Sequence, residues 1–189
     1  MKIAAIGDSI TYGFPYSPSA SWLAIAARHF DLEYLNCGVN GDTTGQMVRR
    51  FTRDVCYYRP SHVIVMGGTN DVFASVGTKE IMDHMERIAT LSRENGITPI
   101  IGLPIPCSDL WAEKQLSEYR TALGKYAFAQ AIDVIDFYAA MTGEDGLGSK
   151  KGLFCDGVHP NQAGYKVMAA VTIEFIEKNL LRYKKEGDL

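Results

Sequence analysis

The chain has 189 residues, of which 47% are hydrophobic and 22% charged, the balance of a folded domain and not of a disordered segment. Nineteen basic and 22 acidic residues give a net charge of −3, so no excess of Lys or Arg is available to neutralise phosphates, which argues against a dedicated nucleic-acid binder. No apolar run approaches the roughly 20 residues needed to span a bilayer, and a single domain over residues 1–189 is expected.

The N-terminal run Ile3-Ala4-Ala5-Ile6 ends at Gly7-Asp8 and reads as a first strand, too short for the apolar stretch of a secretory leader. Residues 20–30 then read as a helix. Tyr34-Leu35-Asn36-Cys37 is a weaker second strand ended by Gly38. A helix over 43–53 follows, with Asp42 placed to cap it. Val63-Ile64-Val65-Met66 forms a third strand ended by Gly67-Gly68. In the segment 78–95, Ile81, Met85, Ile88 and Ala89 share one helical face, and Gly96 supplies the stop. Ile97 to Leu103 is the fourth strand. Ala112, Leu116, Tyr119, Leu123 and Tyr126 repeat the helical spacing, and Ile132 to Ile135 is the fifth strand. A last helix starts at Asn161 or Gln162 and reaches about Lys178, while residues 182–189 read as a frayed, charged end. Strands alternating with helices predict a parallel sheet covered on both faces.

In such a sheet, ligands bind outside the carboxyl ends of the strands. The segments leaving that edge are Gly7-Asp8-Ser9-Ile10-Thr11, Gly38-Val39-Asn40-Gly41-Asp42, Gly67-Gly68-Thr69-Asn70-Asp71, and Asp156-Gly157-Val158-His159-Pro160 before the last helix. Together they offer a hydroxyl, an accessible glycine backbone, a side-chain amide and an acid–imidazole pair, the groups that acyl transfer needs. Each has a plainer alternative. Ser9 could cap a helix, Gly41 could serve a tight turn, and Asn70 and Asp71 could be turn or cap residues. His29, His62 and His84 keep a structural reading, because none has a suitably placed acid in a loop. Convergence of four separate segments on one edge favours the chemical reading.

The four blocks, in this order from Gly7 to His159, resemble the signature blocks of the SGNH (GDSL-type) esterases and acylhydrolases. The resemblance implies a flavodoxin-like three-layer α/β/α sandwich with a five-stranded parallel sheet. It also implies Ser9 as nucleophile, His159 as base and Asp156 as third triad member, with Ser9, Gly41 and Asn70 as the oxyanion hole. A serine hydroxyl needs an imidazole to take its proton, and a carboxylate fixes the imidazole tautomer.

The expected substrate is a small-molecule ester with a short acyl group. Phe14-Pro15-Tyr16, Val72-Phe73 and residues 104–111 leave the same edge and are open to two readings, an acyl or alcohol pocket and ordinary loop packing. Little chain is left over for a lid. Lysophospholipase, thioesterase and carbohydrate O-acetylesterase activities are alternatives within the same chemistry. A nucleotide- or phosphate-binding α/β protein is the non-hydrolase alternative; Gly38, Gly41 and Gly45 precede or open a helix, but their spacing fits no phosphate-loop pattern. No cofactor is expected. No metal site is expected either, since the histidines are scattered and Cys37, Cys56, Cys107 and Cys155 form no pair with ligand spacing. Free, mostly buried thiols in the cytoplasm are the expectation for these cysteines.

Overall fold

The structure, a computed structural model, describes residues 1–143 and 148–181. Five strands, β1 (Lys2–Gly7), β2 (Glu33–Gly38), β3 (His62–Met66), β4 (Thr98–Gly102) and β5 (Asp133–Ile135), form one all-parallel sheet in the order β2-β1-β3-β4-β5. All five expected strands are present within a residue or two. The weak second run is explained by its place: β2 is an edge strand and stays only half-buried along its length, so it needs fewer apolar side chains than β1 or β3.

Side chains of β1 and β3 alternate between two cores. Ala4, Ile6, Val63 and Val65 face one side, where Met47, Phe51, Ile81, Met85, Ile88, Leu116 and Leu123 pack on them. Ile3, Ala5, Ile64 and Met66 face the other side, against Trp22, Phe137, Met141, Tyr165 and Met168. The helices carrying these residues therefore form two outer layers. Helices α1 (Ser9–Tyr12), α2 (Trp22–His29), α7 (Phe137–Met141) and α8 (Gln162–Phe175) lie on one face; α3 (Thr44–Asp54), α5 (Thr78–Glu94) and α6 (Leu110–Ala129) lie on the other, and α4 (Thr69–Phe73) follows β3. This is the parallel sheet covered on both faces that the alternation predicted, and the three-layer α/β/α sandwich that the resemblance implied.

Three short helices, α1, α4 and α7, were not expected. Each has four or five residues, too few to display a helical period. The helix expected over 20–30 begins at Trp22, after a 3₁₀ turn at Pro18–Ala20. Asp42 does not cap α3. Thr43 does, in a reciprocal capping box with Gln46, because Asp42 is turned inward to the Arg50 guanidinium at 2.6 Å. Helix α5 ends where Gly96 (φ +69°) predicts, and α8 continues into a π turn over Ile176–Leu181. The expected frayed end at 182–189 lies outside the described residues.

The strand order creates a crevice. From β1 the chain passes over the α2 face, and from β3 it passes over the α5 face. Connections diverge at the carboxyl ends of β1 and β3, where open parallel sheets hold ligands.

Candidate active site

Register places the three loops level with one another, since Gly7 pairs with Gly38 on one side and with Met66 on the other. Asp8 follows directly and caps α1, its Oδ1 accepting the Ile10 N–H at 2.9 Å. Ser9 is therefore the first helical residue and not the cap. It is only 8% exposed. Burial pushes the Asp8 carboxyl up to about 6, against the Ile10 N–H and the nearby His159, which lower it.

The imidazole arrives from the far end of the chain. Between α7 and α8 the backbone folds into a narrow turn, with Phe154 bridged to Pro160 and the Cys155 N–H donating to His159 O at 3.0 Å. At its tip, Asp156 Oδ1 accepts the backbone N–H groups of Val158 (2.7 Å) and His159 (2.6 Å). Asp156 Oδ2 lies 2.8 Å from His159 Nδ1. Partial burial raises the Asp156 pKa, but the hydrogen bonds from His159 and Val158 outweigh it and hold the carboxyl below its usual range. A carboxylate only accepts, so Nδ1 carries the ring proton and Nε2 is free to accept. His159 Nε2 is 3.0 Å from Ser9 Oγ. The turn is steadied from the side by Ser108, whose N–H donates to Gly157 O at 2.8 Å and whose hydroxyl lies where a Cβ at Gly157 would stand.

Gly41 and Asn70 meet through Asp42. The Asn70 amide donates to Asp42 O at 3.0 Å, which ties the loop after β3 to the loop after β2 and leaves its second N–H unused by that bond. Gly41 has φ +78°, in the left-handed region that glycine enters without strain, and no atom lies within 4 Å of where a Cβ would stand. The Val39 N–H donates to Gly7 O at 3.0 Å, joining the same loop to the end of β1.

Residues 5–167 match the GDSL-like lipase/acylhydrolase family. The chain belongs to that family. Its members are ester-cleaving hydrolases, which decides against the phosphate-binding alternative. This GDSL-like hydrolase is 21% identical over 187 residues to an arylesterase of Vibrio mimicus, covering 96% of this chain and 89% of that one. It superposes on a member of the lipolytic G-D-S-L family from Veillonella parvula with a TM-score of 0.84 and 26% identity, covering 94% and 99% of the two chains. It shares the fold of Axe2, an acetylxylan esterase from Geobacillus stearothermophilus, with a TM-score of 0.79 and 21% identity over 93% of each chain.

Several residues that shape this hydrolase's site escaped the sequence reading. Arg50 is 9% exposed; its guanidinium binds Asp42, Asp54 Oδ2 (3.1 Å) and Gly7 O (3.0 Å). Asp71, expected as a cap, is not one: it lies inside α4, and its carboxylate reaches the start of α3, where it accepts the Thr44 N–H (2.9 Å) and hydroxyl (2.5 Å). His84, read as structural, touches the same hydroxyl through Nδ1 at 3.0 Å and so reaches an acid through Thr44. All four cysteines are free, but only Cys107 is buried, Cys37 and Cys56 are half-buried, and Cys155 is exposed beside Asp156. Mostly buried thiols was thus wrong. Burial, with the Asp156 charge adding to it, raises the Cys155 thiol. Among the described residues there is no cluster of three or more His, Cys, Asp or Glu fit to hold a metal, and no helix long and apolar enough to cross a membrane.

Proposed function

We propose that the protein is a serine esterase that cleaves small, short-acyl carboxylic esters through an acyl-Ser9 intermediate. The reading rests on the unbroken hydrogen-bonded series Ser9 Oγ, His159 Nε2, His159 Nδ1 and Asp156 Oδ2. In this mechanism His159 takes the Ser9 proton as Oγ attacks the ester carbonyl, and Asp156 keeps the imidazole in the tautomer that can accept it. Negative charge then develops on the former carbonyl oxygen. The backbone N–H groups of Ser9 and Gly41 and the free amide N–H of Asn70 stabilise it without needing ionisation. His159 returns the proton to the departing alcohol, and water repeats the sequence on the acyl enzyme.

The preference for small soluble esters is supported by the short connections at the carboxyl edge. Residues 39–43, 67–68 and 103–109, which follow β2, β3 and β4, are each too short to form a lid. Exposed apolar side chains lie on the segments that follow β2, β3 and β4: Val39, Phe73, Leu110 and Trp111. Apolar side chains on segments that leave this edge suit a compact acyl or alcohol group. Free thiols support a reducing, cytoplasmic setting for this activity.

Hydrolysis of p-nitrophenyl esters from acetyl to decanoyl tests the reading, with wild type beside folded Ser9→Ala. Turnover that depends on Ser9 and peaks at the shortest esters is expected. Turnover surviving in the variant removes Ser9 as nucleophile, and a decanoyl optimum removes the short-acyl preference.

A further inference from the structure

We propose that Phe14 is a positioning residue that holds the His159 imidazole in register with Ser9. The inference rests on the reading of Ser9 and His159 as nucleophile and base. The two rings lie 4.7 Å apart between centroids and are tilted by 59°. Phe14 is nevertheless 37% exposed, so it contributes little to either core.

Its backbone is fixed at both ends. The Phe14 N–H donates to Ser9 O at 3.0 Å. The Phe14 carbonyl accepts the Tyr165 hydroxyl at 2.7 Å, and Tyr165 is wholly buried on α8, just after His159. Tyr16 adds an edge-on contact to Tyr165, with ring centroids 6.3 Å apart. The segment after α1 is thus fastened to the nucleophile's own residue on one side and to the base's helix on the other. A ring carried on that strap reports and constrains the distance between them.

The imidazole needs such a contact. Its hydrogen bonds to Asp156 and Ser9 leave from opposite sides of the ring, so they fix its ends but not its tilt about the line joining them. Asp156 is 49% exposed in its side chain, and water competes for its oxygens. A flat aromatic neighbour held by main-chain bonds restrains the remaining rotation. Misplacement of a reacting group by about 1 Å can cost about 10²-fold in rate.

The test compares Phe14→Ala and Phe14→Leu with wild type on p-nitrophenyl acetate, and repeats Phe14→Ala in a His159→Ala background. Phe14→Ala is expected to lower kcat about 10–100-fold with KM within about threefold, and Phe14→Leu to recover most of the loss. In the His159→Ala background, Phe14→Ala is expected to cost nothing further, because its effect passes through the imidazole. A raised KM at unchanged kcat overturns the inference in favour of substrate contact. Equal losses in both backgrounds, or no recovery in Phe14→Leu, overturn it in favour of general loop support. If Phe14→Ala does not fold, Phe14→Val carries the same comparison. An inactive Ser9→Ala together with a fully active Phe14→Ala sinks this inference alone, whereas an active Ser9→Ala sinks the nucleophile assignment beneath it.

Discussion

The Asp71 carboxylate, 1% exposed, accepts both the backbone N–H and the hydroxyl of Thr44, so the short helix that carries Asn70 is fastened to the first turn of α3. The bond spans two of the loops that form the site. Thr44 in turn is met by His84, which leaves its hydroxyl proton committed to Asp71. Asp71→Ala strands two buried donors and is expected to destabilise the protein by about 2–4 kcal/mol. Urea unfolding followed by circular dichroism reads this as a lower midpoint with an unchanged slope. A midpoint matching wild type would show that the bond contributes nothing.

Asn70 makes a narrower contribution. One amide N–H is used on Asp42 O, and the other is available to an oxyanion. Asn70→Ala is expected to lower kcat about 10²–10³-fold, the scale for one lost oxyanion donor. Its far-UV spectrum should match wild type, since the lost loop contact is a single side-chain bond. Steady-state kinetics on p-nitrophenyl acetate decides, and near-normal turnover takes Asn70 out of the site.

Asp8 gives a pH signature. Its carboxyl is pushed from 3.8 to about 6 by burial, so between those values the folded state binds a proton more tightly than the unfolded state. Stability attributable to Asp8 therefore falls as pH rises from about 4 to about 6 and stays low above that. Asp8→Asn keeps an oxygen for the Ile10 N–H and removes the buried charge. It is expected to stabilise the protein at pH 8 by up to about 3 kcal/mol, with the gain vanishing near pH 4. Melting temperatures of the two proteins across this range check the sign.

Arg50 joins three elements, and its loss leaves the buried Asp42 uncompensated. Arg50→Gln is expected to cost about 3–5 kcal/mol, as breaking a buried pair from one side does. Asp54→Asn keeps the bonds from Arg50 to Asp42 and Gly7, so a loss below about 1 kcal/mol is expected. Equal losses in the two variants, measured by denaturant unfolding, would show that Asp42 is not the partner that matters.

Much of this architecture was visible in the chain because its first four strands are short runs ended by glycine or proline, and its long helices keep one apolar face. Ile81, Met85, Ile88 and Ala89 are all buried, as their spacing required. Ser9, Asp156 and His159 could be named because each sits in a compact local pattern, and the structure brings them into one hydrogen-bonded series. What stayed hidden depends on partners from distant segments. Asp42 had the composition of a cap, but a guanidinium eight residues away claims it, and Thr43 takes the cap instead. Phe14 was open to a pocket reading and to loop packing, and neither placed it against His159. No local pattern encodes either pairing.

The hydroxyl and the imidazole that meet at 3.0 Å are 150 residues apart. A growing polypeptide acquires all five strands by Ile135, well before Asp156 and His159 emerge. Every strand of the sheet, and Ser9 with it, thus precedes the acid–imidazole turn in the chain. The Ser9–His159 contact therefore forms only once the segment leading into α8 is in place. A chain that ends at Ile135 lacks Asp156 and His159, and with them the α8 residues Tyr165, Met168 and Phe175 that cover one face of the sheet.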